Sequence, residues 1–246
     1  MIDWHTRFLQ QAAWTRPLRD YLFTRCGLDG ARRILEAGCG TGAILAELDS
    51  RSFAVHGIDH DLLRLLDARR HAPQARLLCG DALALPYANH VFDITFCHFL
   101  LLWVGDPLQA LREMSRVTRP GGHVLALAEP DYLHRIDRPA ALASLGNWQT
   151  TSLRRQGADP GLGLRLAGLF RQAGIEIIEA GPLRAQPAPP ADAQLEWAVL
   201  EADLAGLVPH ARLEEWKSID RLARVQGERV LQVPTYFAYG RLAAPR

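Results

Sequence analysis

The segment Glu36-Ala37-Gly38-Cys39-Gly40-Thr41-Gly42 constrains this chain more than any other. It follows a short apolar run, Arg33–Ala37, and precedes a stretch, Gly42–Ser50, that reads as a helix. Glycines without Cβ tolerate a tight strand-to-helix turn and let a ligand approach the backbone. A helix starting there would offer unpaired amide groups. The carboxylate of Glu36, just before the turn, suits a cationic ligand group. Gly38, Gly40 and Ala43 also satisfy the dinucleotide pattern, so the turn alone does not choose a cofactor. A glycine-rich turn that binds nothing is the third reading.

Around this turn, apolar runs alternate with helical patterns. Phe53–Ile58, Ala75–Cys79, Val91–Cys97 and Gly122–Ala128 read as strands. Asp61–Arg70 reads as a helix with Leu62, Leu63, Leu65 and Leu66 on one broad face, and Pro107–Val117 as another. Short apolar strands separated by helices predict a parallel sheet covered on both faces. Ligands would then sit at the carboxyl ends of the strands. Farther along, Arg138–Gly157 and Leu162–Ala173 are helical and Ile175–Ala180 is a strand. Gly181–Ala191 holds four prolines and reads as a loop. Helical patterns return at about 193–204 and 209–226, and Pro234–Gly240 closes as a β-rich run.

The second strand ends in Asp59, 59 − 42 = 17 residues past the last glycine. An acid there can accept two hydrogen bonds from ribose hydroxyls. More than one class of nucleoside cofactor uses such an acid, so it supports a nucleoside ligand without naming it; the alternative is a helix N-cap, a job Asp61 can also do. The third strand ends Cys79-Gly80-Asp81-Ala82, where a polar side chain and the next amide could grip an adenine edge.

Composition removes several classes. The chain has 246 residues, 28 basic against 27 acidic, so no overall positive field advertises nucleic acid or an anionic membrane. The pairs Arg69-Arg70 and Arg154-Arg155 are too short for a nucleic-acid stripe. Cysteines 26, 39, 79 and 97 form no Cys-x-x-Cys pair, which speaks against a zinc ribbon or a disulfide framework. No apolar stretch nears the roughly 20 residues that span a bilayer, and the N-terminus starts no secretory signal. The expectation is a cytoplasmic protein without membrane insertion.

The ordered set Glu-Ala-Gly-Cys-Gly-Thr-Gly, Ile58-Asp59, Gly80-Asp81-Ala82-x-x-Leu85-Pro86, Phe92-Asp93 and Arg119-Pro120-Gly121-Gly122 resembles the class I S-adenosylmethionine-dependent methyltransferases. It is most similar to the small-molecule branch that includes quinone-biosynthesis enzymes (methyltransferase type 11). The likeness covers about residues 30–130, and the closing strand also fits. It implies an α/β, Rossmann-like, seven-stranded, mostly parallel sheet with helices on both faces. It implies a single domain with its core at about 28–180 and 233–242. An N-terminal cap helix would lie at about 3–25 and a helical insertion, a lid, at about 181–232.

The resemblance also implies roles. S-adenosylmethionine would lie against Gly38, Cys39, Gly40 and Gly42, with Glu36 near its amino-acid end. Asp59 and His60 would serve the ribose, and Asp81 and Ala82 the adenine. Cys97 and His98 would face the methionine moiety and the transferring methyl. Arg16 or Arg19 of the N-terminal helix could pair with the cofactor carboxylate, or lie on a solvated face. His98 is the candidate base, or a packing residue. Asp131 and Tyr132 leave the fifth strand, followed by His134, where an acceptor should sit; Glu129 could cap backbone instead. Trp14, Trp103 and Trp148 could wall an apolar acceptor pocket, or fill cores with Trp4 and Trp197.

Absences narrow the chemistry. After the fourth strand the chain reads Cys97-His98-Phe99-Leu100, not Asn/Asp-Pro-Pro-Tyr. Of the carboxylates that metal-dependent catechol-type enzymes need, only Asp131 is in place, so no metal is expected. The reading is methyl transfer to a small, hydrophobic or aromatic acceptor, leaving S-adenosylhomocysteine. One competitor is a non-catalytic S-adenosylmethionine-binding module. The other, a nicotinamide-dependent oxidoreductase, lacks its Tyr-x-x-x-Lys pair: the one lysine, Lys217, has Leu213 four residues before it.

Overall fold

A computed structural model describes residues 2–48, 53–183 and 193–244. Helix α1 (Trp4–Arg25) starts on Asp3, whose carboxylate accepts the Thr6 amide. There follow β1 (Arg33–Ala37), β2 (Ala54–Asp59), α2 (Leu62–His71), β3 (Arg76–Cys79), β4 (Phe92–Cys97), α3 (Pro107–Val117) and β5 (Thr118–Pro130). Then come β6 (Ile136–Arg138), α4 (Ala143–Arg155), α5 (Leu162–Gln172), β7 (Glu176–Pro182), α6 (Ala193–Leu204), α7 (His210–Gln226), β8 (Val230–Gln232) and β9 (Thr235–Arg241).

One sheet holds seven strands in the order β3-β2-β1-β4-β5-β9-β7. Its pairs are parallel except those of β9, which runs antiparallel to β5 and β7. Strand alternation explains its two faces. Ile94, Phe96, Leu125 and Leu127 are buried with residues of α1 and α2. Leu35, Cys97, Val124 and Ala126 are buried with α3 and α5. Helix α3 shows the matching helical rhythm: Ala110, Leu111, Met114 and Val117 are buried, Pro107 opens it, and Asp106 caps the Gln109 amide. The strand order reverses at β1, with β2 on one side and β4 on the other. That switch point opens a crevice at the carboxyl ends.

A third apolar cluster joins Leu142 and Leu145 to Trp197, Leu200, Leu204, Leu213 and Trp216. It makes a helical cap from α4, α6 and α7, outside the sheet. Antiparallel β6 and β8 form a separate two-stranded ribbon beside it.

Several sequence expectations are corrected here. Gly42–Ser50 is not an α-helix over its described part. It holds only a 3-10 turn, Leu45–Glu47, because Gly42 sits at φ +77° and Ala43, Ile44, Leu45 and Leu48 all turn inward, which no helical face allows; residues 49 and 50 lie outside the described residues. The helix expected from Arg138 starts at Ala143. The residue before a proline is biased to extended backbone, so Ile136–Arg138 pairs as a strand ahead of Pro139. Gly181 and Pro182 close β7, and residues 184–191 of the expected loop lie outside the described residues. The broad leucine face of α2 is the largest correction. Only Leu65 and Ala68 are buried, while Leu62, Leu63 and Leu66 are 60%, 74% and 52% exposed.

Candidate functional site

The glycine turn lies at the carboxyl end of β1, in the crevice, with Gly38, Gly40 and Gly42 all at positive φ. Asp59, at the end of β2, shapes it. Its Oδ2 accepts the Gly40 amide at 2.8 Å and its Oδ1 accepts the Asp61 amide at 2.9 Å. So Asp59 is not the helix cap; Asp61 is, accepting from Leu63 and Arg64. Asp59 is a brace for the turn, and each carboxylate oxygen keeps a second lone pair. His60 beside it is exposed.

Glu36 is the unusual group. It is almost fully buried, and its Oε2 has no hydrogen-bond partner. Burial pushes its pKa well up, against the pull of Arg19, and Asp59 and Glu47 push the same way. A buried carboxylate oxygen without a donor is costly unless something charged completes it.

Helix α1 closes over this crevice. Phe8 packs on Gly40: a Cβ there would lie 2.9 Å from the Phe8 ring, and one on Gly38 would lie 2.6 Å from Leu100. His5 Nδ1 is 2.9 Å from Thr41 Oγ1, and the His5 ring stacks on His71 of α2. Arg19 is buried, bonded to Glu47, to Ala12 O and to Thr15 Oγ1. It is therefore no free cation, although its charge reaches Glu36 and His98. Arg16 is exposed and 3.5 Å from Glu47.

His98 follows β4 and lies 3.0 Å from Thr15 Oγ1 through Nε2. Desolvation first, then Arg19, push its pKa down to about 3. A base that weak is a poor proton acceptor at neutral pH, so the geometry favours a neutral, positioning imidazole. Cys97 is wholly buried in the core, where burial pushes its thiol pKa up and the charges of Glu129 and Glu36 push the same way. Asp81 is exposed and caps the Leu83 amide, while Ala82 is buried beside it.

Glu129 and Asp131 are explained by backbone. The Glu129 carboxyl accepts the amides of Leu100, Leu101 and Leu102 at 2.9–3.1 Å, clamping the loop after β4. Asp131 caps the Leu133 amide and holds His134 Nδ1 at 2.8 Å. Both of its oxygens are engaged by neighbouring groups, and the side chain is almost fully buried. Tyr132 faces the charges of Arg7, Arg135 and Asp203, so it sits where α1, α4 and α6 converge. Trp14 lies under Arg7 at 5.1 Å; Trp103 and Trp148 are partly exposed. Trp197 belongs to the cap core and donates to Asp220.

Sequence reading missed Phe8, Thr15 and Glu47. Their partners lie 28 to 83 positions away or on a glycine, and nothing local marks them. Among the described residues, no cluster of three His, Cys, Asp or Glu is placed to hold a metal ion.

Residues 35–126 match a family described as a methyltransferase domain, and the motif resemblance is borne out over that segment. The chain is 39% identical over 111 residues to the malonyl-[acyl-carrier protein] O-methyltransferase of Halorhodospira halophila, covering 43% of this chain and 38% of that protein. It is 34% identical over 111 residues to the demethylmenaquinone methyltransferase of Renibacterium salmoninarum, covering 45% and 47%. The chain thus spans less than half the length of these curated relatives. Among solved structures, the [4+2]-cyclase SpnF has a TM-score of 0.60 at 23% identity, covering 93% of this chain and 81% of that one. A geranyl diphosphate methyltransferase in complex with S-adenosylmethionine has a TM-score of 0.57 at 14% identity, covering 90% and 83%. The fold is the Rossmann-like α/β fold of these proteins.

Proposed function

We propose that this chain transfers a methyl group from S-adenosylmethionine to an oxygen, nitrogen or carbon of a small apolar or aromatic acceptor. The observation that carries the reading is the buried Glu36 oxygen with no donor, beside a glycine turn. An ammonium group, such as the cofactor's amino-acid end carries, would complete that oxygen. Gly38, Gly40 and Gly42 would take the cofactor against their backbone. Asp59 has lone pairs left for ribose hydroxyls, and Asp81 with Ala82 stands where adenine would lie.

When bound, the cofactor supplies an activated methyl group for in-line displacement. The protein's share is alignment and exclusion of water, which can supply about 7–11 kcal/mol of barrier lowering. Glu129 holds the Leu100–Leu102 loop, His98 and Thr15 set one wall, and α1 is the cover. Tyr132, Trp14, Trp103 and Trp148 would frame the acceptor, with α6 and α7, between β7 and β9, as the lid. No step here needs a metal. The four cysteines are unpaired, which fits a cytoplasmic setting.

A second reading keeps cofactor binding without methyl transfer. The weak basicity of His98 favours it for acceptors that must lose a proton.

Calorimetric titration with S-adenosylhomocysteine, with NAD as control, tests the proposal. Micromolar binding of the first alone, weakened at least tenfold in Glu36→Gln, is the expected result. Binding of NAD, or of neither, overturns it. Tight binding with no turnover over a panel of phenols, amines and acyl thioesters favours the second reading.

A further inference from the structure

The exposed face of α2 is the feature the methyl-transfer reading leaves unused. At 100° per residue, Leu62, Leu63, Leu66, Arg69 and Arg70 fall within an arc of about 120° on one side of the helix. Leu65 and Ala68, which are buried, lie outside that arc. The three leucines are more than half exposed, and Arg69 and Arg70 are exposed with them. No acid shares that arc. Asp67 stands at its edge, 3.4 Å from Arg70, and Asp61 is engaged as the N-cap. Arg64 stands about 160° round the helix from the middle of that arc and packs toward α1, 5.8 Å from the ring of Trp4 and 5.5 Å from Phe8, so the arc is confined to α2.

Leucines bordered by arginines, exposed together, mark an interaction surface rather than scattered surface apolar residues. A stable interface with a second copy takes about 20–30 residues a side, far more than this ten-residue helix offers. A basic amphipathic helix face of this composition suits the boundary of an anionic bilayer, with leucines among the acyl chains and arginines at the headgroups. We infer that this face of α2 docks the protein reversibly on an anionic lipid surface. The contact is peripheral; among the described residues no helix is long and apolar enough to cross a membrane. It does not depend on the methyl-transfer reading.

Flotation with vesicles tests it. The protein should float with vesicles of phosphatidylcholine and phosphatidylglycerol, much less with phosphatidylcholine alone, and be released by high salt. The double variant Leu63→Glu, Leu66→Glu should lose at least tenfold in the floated fraction while its affinity for S-adenosylhomocysteine is unchanged. Both side chains lie outside the core, so folding is preserved. Wild-type protein that stays behind with both vesicle types overturns the inference, as does a variant that floats equally well. So does a dimer in sedimentation velocity that the double variant breaks, which would assign the face to a second copy. Flotation without S-adenosylhomocysteine binding would sink the methyl-transfer reading and leave this one standing.

Discussion

In the sheet, Ile34, Ile94, Phe96 and Leu125 are buried between helices, and three carboxylates brace backbone: Asp59 on Gly40, Asp93 on Arg32 and Arg33, Glu129 on the Leu100–Leu102 loop. In the cap, the groups most deeply placed beside the apolar cluster are themselves charged. Arg135, Asp137, Arg229 and Asp220 have side chains 2–7% exposed. They form one chain: Arg135 to Asp137, Asp137 to Arg229 at 2.9 Å, Arg229 to Asp220, and Asp220 on to Arg224 and Glu196. Trp197 Nε1 adds a donor to Asp220 at 2.9 Å. The sheet is a rigid platform of apolar packing. The helices of the cap are tied to one another and to the ribbon of β6 and β8 by directional bonds, each of which must be satisfied.

The largest test of this contrast is Asp220→Asn. It strips the charge that Trp197, Arg224 and Arg229 share, a group whose pKa burial would raise but these three hold below the ordinary range. Breaking a buried pair by removing one partner costs about 3–5 kcal/mol. Hydrogen-exchange mass spectrometry should show lost protection in α6, α7 and β8, with β1, β4 and β5 unchanged. Uniform loss across the sheet would mean that the two regions unfold together and the contrast fails.

The same contrast explains what was legible in the sequence. Strands β1 and β4 were readable because their apolar runs are continuous and buried on both faces. Helix α3 carried its own punctuation in Asp106 and Pro107. The ion chain was not readable, because Asp137 and Arg229 are 92 positions apart and neither is locally distinctive. Strands β6 and β8 are three residues each, too short for any period. Helix α2 fails for another reason: its boundaries follow from Asp61, but its leucines occupy two faces, and hydrophobicity alone could not say which one the sheet takes. At the site, the glycines, Glu36 and Asp59 were legible from their spacing. That Asp59 braces Gly40 and that Asp131 holds His134 needed coordinates.

A smaller effect probes the platform alone. Asp59→Ala should weaken S-adenosylhomocysteine binding by about 1.5–3 kcal/mol, the usual loss for hydrogen bonds to a charged group. Half of the reason is indirect, because the variant also frees the Gly40 amide. Calorimetry and exchange together separate the regions: affinity falls and protection in the cap stays as it was. Unchanged affinity would remove Asp59 from the ribose role, whatever the fate of the turn.

The smallest effect is a pH dependence lodged in the platform. His98 is held neutral, its pKa pushed from 6.5 to about 3 by desolvation and Arg19. Below about pH 6.5 the unfolded chain takes up this proton and the folded one does not. Stability from this group is therefore complete above pH 6.5 and lost as pH falls toward 3, by about 1 kcal/mol between pH 7 and 5.5. Glu129 works in the opposite sense. Burial, set against the three loop amides, lifts its pKa to about 8, so its contribution is greatest at low pH and fades as pH rises through 8. The two oppose each other in the wild type, and only a difference isolates His98. Denaturant unfolding at pH 7 and 5.5 on wild type and His98→Gln provides it, since glutamine can keep a bond to Thr15 without titrating. The variant should lose about 1 kcal/mol less than wild type between the two values. Equal losses would mean that His98 titrates normally while folded, and with that the neutral wall beside the crevice would become a usable base.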